Sequence, residues 1–252
     1  MNNISLNTWE DVRVWCDSNP MGCFQTSYIE HINSGMFPKD AFSLGQLASK
    51  IWLIDSLYNY CYKTNEDLMC IEPPIVAMLG CWIGALSPLL HQHMDIERIY
   101  GFDIDPVAIS KAEVFNRRLV ADNWKFKGVV QDIAYLSCNN MEFETGGELI
   151  QVKPDVVINT SCEHMDTQWF DSCDDDQLIV MQTNDSPDFD GHINICHNIQ
   201  EMQDKYPMRD IKFIGSLKTP VYTRFMQIGY RDAHLSLIHI SEPTRLGMSA
   251  DA

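Results

Sequence analysis

The residues best suited to chemistry stand together at Ser161-Cys162-Glu163-His164, directly after an apolar run, Asp155 to Asn159, that has the texture of a β-strand. Glu163 and His164 are the candidate general bases, since a carboxylate or an imidazole can take the proton of a reacting acceptor. Three further polar groups follow, Gln182-Thr183-Asn184-Asp185, Gly191-His192-Ile193-Asn194 and Tyr222-Thr223-Arg224. Ser161, Asn184, His192 and Tyr222 are accordingly the candidate substrate residues. A competing reading makes Ser161 to His164 a polar helix cap. Cys162, His164, His192, Cys196 and His197 are expected to gather at one sheet edge, yet no pair has the i, i+4 or CxxC spacing of a specific metal motif, and no metal site is assigned. A Cys162–His164 nucleophile pair fails on direction, because residues two apart face opposite sides of a strand and do not meet on a helix.

A second constellation lies upstream. The run Ile75 to Leu79 leads into Gly80-Cys81-Trp82-Ile83-Gly84-Ala85, where glycines allow a sharp turn and close approach of a ligand to main-chain N–H groups. In a dinucleotide site the second position of GxGxxG must be small to admit a pyrophosphate, and here it is Trp82, which argues against NAD. About 20 residues on, Gly101-Phe102-Asp103-Ile104-Asp105-Pro106 places Asp103 where an acidic residue accepts hydrogen bonds from a ribose. Asp105 reads as a helix N-cap with Pro106 in the first helical position. Asp132, in Gln131-Asp132-Ile133, is either an adenine contact or a simple turn residue.

These groups need a scaffold of βα units. Leu44, Leu47, Ala48, Ile51, Ile54, Leu57, Tyr58 and Cys61 recur at helical spacing after Ser43, which predicts one long capped helix from Ser43 to Cys61. After Glu72-Pro73-Pro74 short apolar runs alternate with helical stretches. Parallel strands are expected at Ile75 to Leu79, Arg98 to Phe102, Phe126 to Val130, Asp155 to Asn159 and Leu178 to Gln182. Ile211 to Leu217 and Val221 to Gly229 are separated only by Lys218-Thr219-Pro220, too short for a parallel crossover, so the sheet closes with an antiparallel hairpin. The fold class is therefore α/β, Rossmann-like and mostly parallel. Asn19 to Gln25 is expected as a loop, and Trp15, Phe24, Tyr28, Phe37 and Trp52 either stack on a substrate or pack an N-terminal helical cap.

Composition narrows the partners. A net charge of −17 in 252 residues disfavours a nucleic-acid backbone and favours a small-molecule substrate; the clustered cations Arg117, Arg118, Lys125 and Lys127 are the exception, read as a solvated surface. The 9 cysteines form no CxxC pair and read as free thiols. No run approaches the roughly 20 apolar residues of a membrane span, and the first residues lack a signal-peptide pattern, so a cytoplasmic location is expected.

Taken in order, Met78-Leu79-Gly80-Cys81-Trp82-Ile83-Gly84, Gly101 to Pro106 and Gln131-Asp132-Ile133 resemble the class I family of methyltransferases that use S-adenosylmethionine (SAM), over Ile75 to Tyr230. The segments around Asn159 to Met165, Gln182 to Asp185, Gly191 to Asn194 and Tyr222 to Gly229 are similar to phage and bacterial methyltransferase-like proteins. The resemblance implies SAM as cofactor, with Gly80, Cys81 and Gly84 at its methionine end, Asp103 on the ribose and Asp132 on the adenine. Asn159 at the end of the fourth strand completes that set. Two departures stand out: Trp82 replaces a small residue, and Met78-Leu79 replaces the acidic residue common before the first glycine. The D/N-P-P-Y/F sequence of enzymes that methylate DNA amino groups is absent at 159–162. The resemblance implies methyl transfer to a small molecule or a protein side chain. The alternatives are cleavage of another sulfonium bond, as in aminocarboxypropyl transfer or a lyase, and a binding module without turnover, which Trp82 would suit. The expected organisation is a helical cap over 1–72, the SAM-binding domain over 73–230 and a non-native, disordered tail over 231–252, in which Leu235 to Arg245 resembles a translated sequencing-library adapter.

Overall fold

The computed structural model describes residues 6–63, 73–188 and 191–232. The adapter-like segment and the expected boundary at 72 fall outside them. Helices α1 (Trp9–Ser18), α2 (Gly22–His31) and α3 (Leu44–Lys63) precede strand β1 (Ile75–Leu79). Then follow α4 (Ser87–His93), β2 (Arg98–Asp103), α5 (Pro106–Phe115), α6 (Arg117–Ala121), β3 (Phe126–Val130), β4 (Met141–Thr145), β5 (Glu148–Val152) and β6 (Val156–Asn159). The described residues close with α7 (Gln168–Asp171), β7 (Leu178–Asn184), α8 (Ile199–Lys205), β8 (Met208–Lys218) and β9 (Thr223–Arg231).

Seven strands form one sheet in the order β3-β2-β1-β6-β7-β9-β8. The first five run parallel, and β9 pairs antiparallel with both β7 and β8. This is the mostly parallel sheet with a closing hairpin that the short Lys218-Thr219-Pro220 link requires. Side chains alternate between its faces. Val76, Met78, Ile158, Val180 and Ile228 join one core with α1 to α5, while Ala77, Leu79, Val157, Ile179 and Met181 join a second with Trp169, Phe170 and Tyr206.

Ser43 holds the start of α3, its hydroxyl accepting from the Gln46 N–H at 3.4 Å. Asp105 caps α5 through the Val107 N–H at 2.8 Å, with Pro106 in the first turn. Two expectations need correction. Asn19 to Gln25 is not all loop, since α2 begins at Gly22. The β4–β5 hairpin was not expected at all, although Met141 and Phe143 are buried and Glu142 exposed in strict alternation before the positive-φ pair Gly146-Gly147. Phe143 packs edge-on against Tyr100 and Phe102, which covers the far side of β2.

The N-terminal aromatics pack. Phe24, Tyr28, Phe37 and Phe42 surround one another and Phe115 of α5, and Trp52 meets Phe213. None of them reaches the large cavity described below. The clustered cations are spent on neighbours: Arg117 and Arg118 pair with Glu30, Lys125 with Asp122 and Lys127 with Glu113.

Candidate active site

A cavity of about 1140 Å³ opens at the carboxyl ends of the parallel strands, larger than the roughly 300–1,000 Å³ of a single drug-sized ligand site. Its walls come from the segments after β1, β2, β3 and β6, the end of β7, the β8–β9 turn and the first turns of α3.

The wall after β1 to β3 is built on backbone geometry. Gly80 turns the chain at φ +60°, and a Cβ there would stand 3.1 Å from Ser161 Cβ, which favours glycine at this contact between two loops. Trp82 also has positive φ, +49°, a conformation that costs a non-glycine residue of order 1–2 kcal/mol. Its N–H donates to Asp103 Oδ2 at 2.8 Å, which helps hold it there. Asp103 accepts a second bond from the Asp105 N–H at 3.0 Å. Each carboxylate oxygen has two acceptor sites, so both can still take a ligand hydroxyl. Asp132 accepts from the Ala134 N–H at 2.9 Å, as a turn residue would, and lines the cavity as well.

Three of the sequence assignments look different in place. Gly84 is buried off the cavity, where a Cβ would come within 2.6 Å of Asn116 Nδ2; it is a packing glycine between the turn and α5. The Cys81 N–H is spent on the Phe102 carbonyl at 2.9 Å, so Cys81 lines the cavity without a free amide to offer it. Asn159 is fully buried, its amide oxygen accepting from the Ser161 N–H and its Nδ2 lying 3.1 Å from Met165 Sδ, behind the wall and not on it.

The opposite wall gathers Ser161, Glu163, His164, Asn184, His192 and Tyr222, as their places at strand ends require. Pairing in register does much of this work, since Asn184 of β7 faces Arg224 of β9 and both reach Glu163. Asn184 Nδ2 donates to Glu163 Oε1 at 2.6 Å, and Arg224 approaches the same oxygen at 3.7 Å, with both ion-pair side chains only 4% exposed. The Glu163 carbonyl accepts from the N–H groups of Ile193 and Asn194, which ties the 191–196 loop to the turn at 161–165. That tie lays the His192 ring edge-on against His164, centroids 4.6 Å apart. Ser161 makes no side-chain capping bond; its hydroxyl donates to the Gly80 carbonyl at 3.3 Å.

The cysteines expected at this edge stay out. Cys162 and Cys196 are fully buried, and burial pushes the Cys162 thiol well up and that of Cys196 to about 11. His197 does not line the cavity. Lining residues that were not singled out as site candidates include Lys50 and Arg224. Burial, with Arg224 nearby, lowers the Lys50 ammonium to about 7, and its Nζ donates to Gln46 Oε1 at 2.7 Å. Their signal in the sequence was only a cation within an apolar pattern.

No protein-family model matches the sequence, and no curated protein matches it. The structure is similar to a magnesium protoporphyrin IX methyltransferase from Synechocystis PCC 6803 with bound S-adenosylhomocysteine, at TM-score 0.53 and 15% identity over 83% of this chain and 100% of that one. The fold is that of the Rossmann-like methyltransferases. The same enzyme with bound SAM aligns at TM-score 0.49 and 16% identity, over 88% of this chain and 95% of that one. A ribosomal-protein methylase from Lactobacillus delbrueckii subsp. bulgaricus aligns at 0.46 and 9%, over 75% and 80%. Among the described residues no helix is long and apolar enough to cross a membrane.

Proposed function

We propose that the chain is a SAM-dependent methyltransferase acting on a small molecule that offers a hydroxyl or amine. The observation that carries the reading is one cavity at the strand ends with Asp103 on one wall and Glu163, His164 and His192 on the other. Asp103 receives the ribose hydroxyls, Asp132 and the Ile133–Ala134 backbone the adenine, and the bend at Gly80 and Cys81 the methionine end. A side chain at Gly80 would press on Ser161, so the bend leaves this contact to backbone and ligand. When bound, SAM supplies an activated methyl: the acceptor lone pair forms the new bond as the carbon–sulfur bond breaks, and sulfur keeps the electron pair in S-adenosylhomocysteine. The protein contributes alignment of the two reactants and a place for the acceptor's proton at the Glu163–His164–His192 cluster, with His164 the solvent-reachable base. The charge of −17 and the pairing of the surface cations support a small acceptor over a nucleic acid.

Calorimetry with SAM, S-adenosylhomocysteine, NAD and ATP side by side tests the reading. SAM and its demethylated product bind, and NAD and ATP do not; tighter binding of NAD contradicts it. In turnover assays S-adenosylhomocysteine is the expected product, whereas methylthioadenosine would mark a different sulfonium bond as the one broken.

A further inference from the structure

The acceptor wall holds a group of side chains whose arrangement goes beyond a base. Glu163, His164 and His192 place one ligand atom each within 4.8 Å of one another. The His164 Nδ1 lies 3.2 Å from the Gly191 carbonyl and the His192 Nδ1 2.6 Å from the Ser186 carbonyl. A carbonyl can only accept, so both rings carry their proton on Nδ1, and the neutral rings hold their lone pair on Nε2. This is the outer arrangement that orients histidine as a metal ligand. Glu163 adds an independent sign. It is 3% exposed, Asn184 and Arg224 both address its Oε1, and its buried Oε2 has no hydrogen-bond partner among the described residues. A buried carboxylate oxygen without a partner is costly and calls for a ligand.

We infer that Glu163, His164 and His192 bind a divalent transition-metal ion of the zinc or manganese class on the acceptor side of the cavity. Two imidazoles and one carboxylate select such ions over magnesium or calcium, which prefer all-oxygen shells, and leave coordination positions open. Ligands at roughly 2.0–2.2 Å around a tetrahedral zinc stand about 3.4 Å apart, so closing the site needs about an ångström of side-chain adjustment. The Glu163 backbone tie to Ile193 and Asn194 keeps the two histidine-bearing segments together for that closure. The inference rests on the methyltransferase reading for its purpose: with the metal bound, an acceptor hydroxyl at an open position is acidified and gives its proton to solvent, which replaces the base role that His164 has in the metal-free protein. The site itself stands on geometry alone.

The test uses the full chain, stripped with a chelator and titrated with Zn²⁺, Mn²⁺ and Mg²⁺, with bound metal measured after desalting. One Zn²⁺ or Mn²⁺ per chain is expected, with binding to His192→Ala and His164→Ala weakened at least tenfold and Mg²⁺ held far more weakly. Co²⁺ loading supplies a visible absorption spectrum of nitrogen and oxygen ligation, which cysteine-bound cobalt would not give. His192→Ala lies on a surface loop and keeps the test open if Glu163→Gln fails to fold. Absence of binding, or binding that survives both histidine substitutions, overturns the site. SAM affinity measured on the same protein separates the readings: SAM binding with no uptake of added metal defeats only the metal site, and metal uptake with no SAM binding defeats only the proposed function.

Discussion

The two walls of the cavity are made in different ways. The wall after β1 to β3 is contiguous: each strand is followed within a few residues by the group it delivers, Gly80, Asp103 and Asp132, and these are held mainly by backbone N–H groups. The opposite wall is assembled from the turn after β6, the end of β7, the 191–196 loop and the start of β9; backbone bonds at Glu163 tie in the loop, and the buried Asn184, Glu163 and Arg224 side chains join the rest. Backbone-held sites tolerate drift in the rest of the chain, whereas a side-chain network fails as a unit. Under the proposed function the first wall receives the cofactor and the second the acceptor.

Substitutions can break this division. The largest effect is expected for His164→Ala, which should lower turnover by about 10²–10⁴-fold, the usual scale for a lost acid–base group, while SAM affinity stays within a factor of two. A parallel loss of SAM affinity would join the two walls into one. Arg224→Met removes the buried partner of Glu163 and should destabilise the chain by about 3–5 kcal/mol in denaturant unfolding. A change below 1 kcal/mol would show that the acceptor wall does not depend on its side-chain network. On the other wall Asp103→Ala should weaken SAM binding by about 1.5–3 kcal/mol in calorimetry and leave the fold intact. Unchanged affinity would remove Asp103 from the ribose.

The smallest effect concerns Lys50. Its folded-state ammonium titrates near 7, while the unfolded chain keeps its proton to about 10.4. Between those values the unfolded state binds more protons, so stability rises with pH across that window. Lys50→Met should therefore be more stable than the parent at pH 6 by about 1–2 kcal/mol, discounted for partial exposure and the Gln46 contact, and the gain should vanish near pH 10. Thermal melts at both pH values check it; an equal effect at both would show that packing and not charge is responsible.

Legibility in the sequence followed the same division. The strands β1, β2, β3, β6 and β7, the cap at Asp105 and the closing hairpin are local patterns, readable from apolar runs and the length of one turn. The position of Asp103 at the end of β2 was readable for the same reason. The β4–β5 hairpin was missed because Glu142, Glu144 and Glu148 dilute its hydrophobicity, leaving alternation as the main cue. Gly84 was misplaced because a glycine serves a ligand and a tightly packed helix equally well, and only the position of Asn116 decides. Residues Lys50 and Arg224 depend on long-range placement, Lys50 lying 113 positions before Glu163 and Arg224 61 positions after it, and carried only a weak local mark. His164 and His192 stood out as chemistry, but their shared focus with Glu163 exists only once the 191–196 loop is tied back.

A crystal structure with S-adenosylhomocysteine bound tests the central claim most directly. Ribose hydroxyls are expected to donate to Asp103, adenine to lie beside Asp132, and the sulfur to face the wall of Glu163, His164 and His192 across open space for an acceptor. Adenosine seated against the two histidines, with Asp103 turned to solvent, would contradict it.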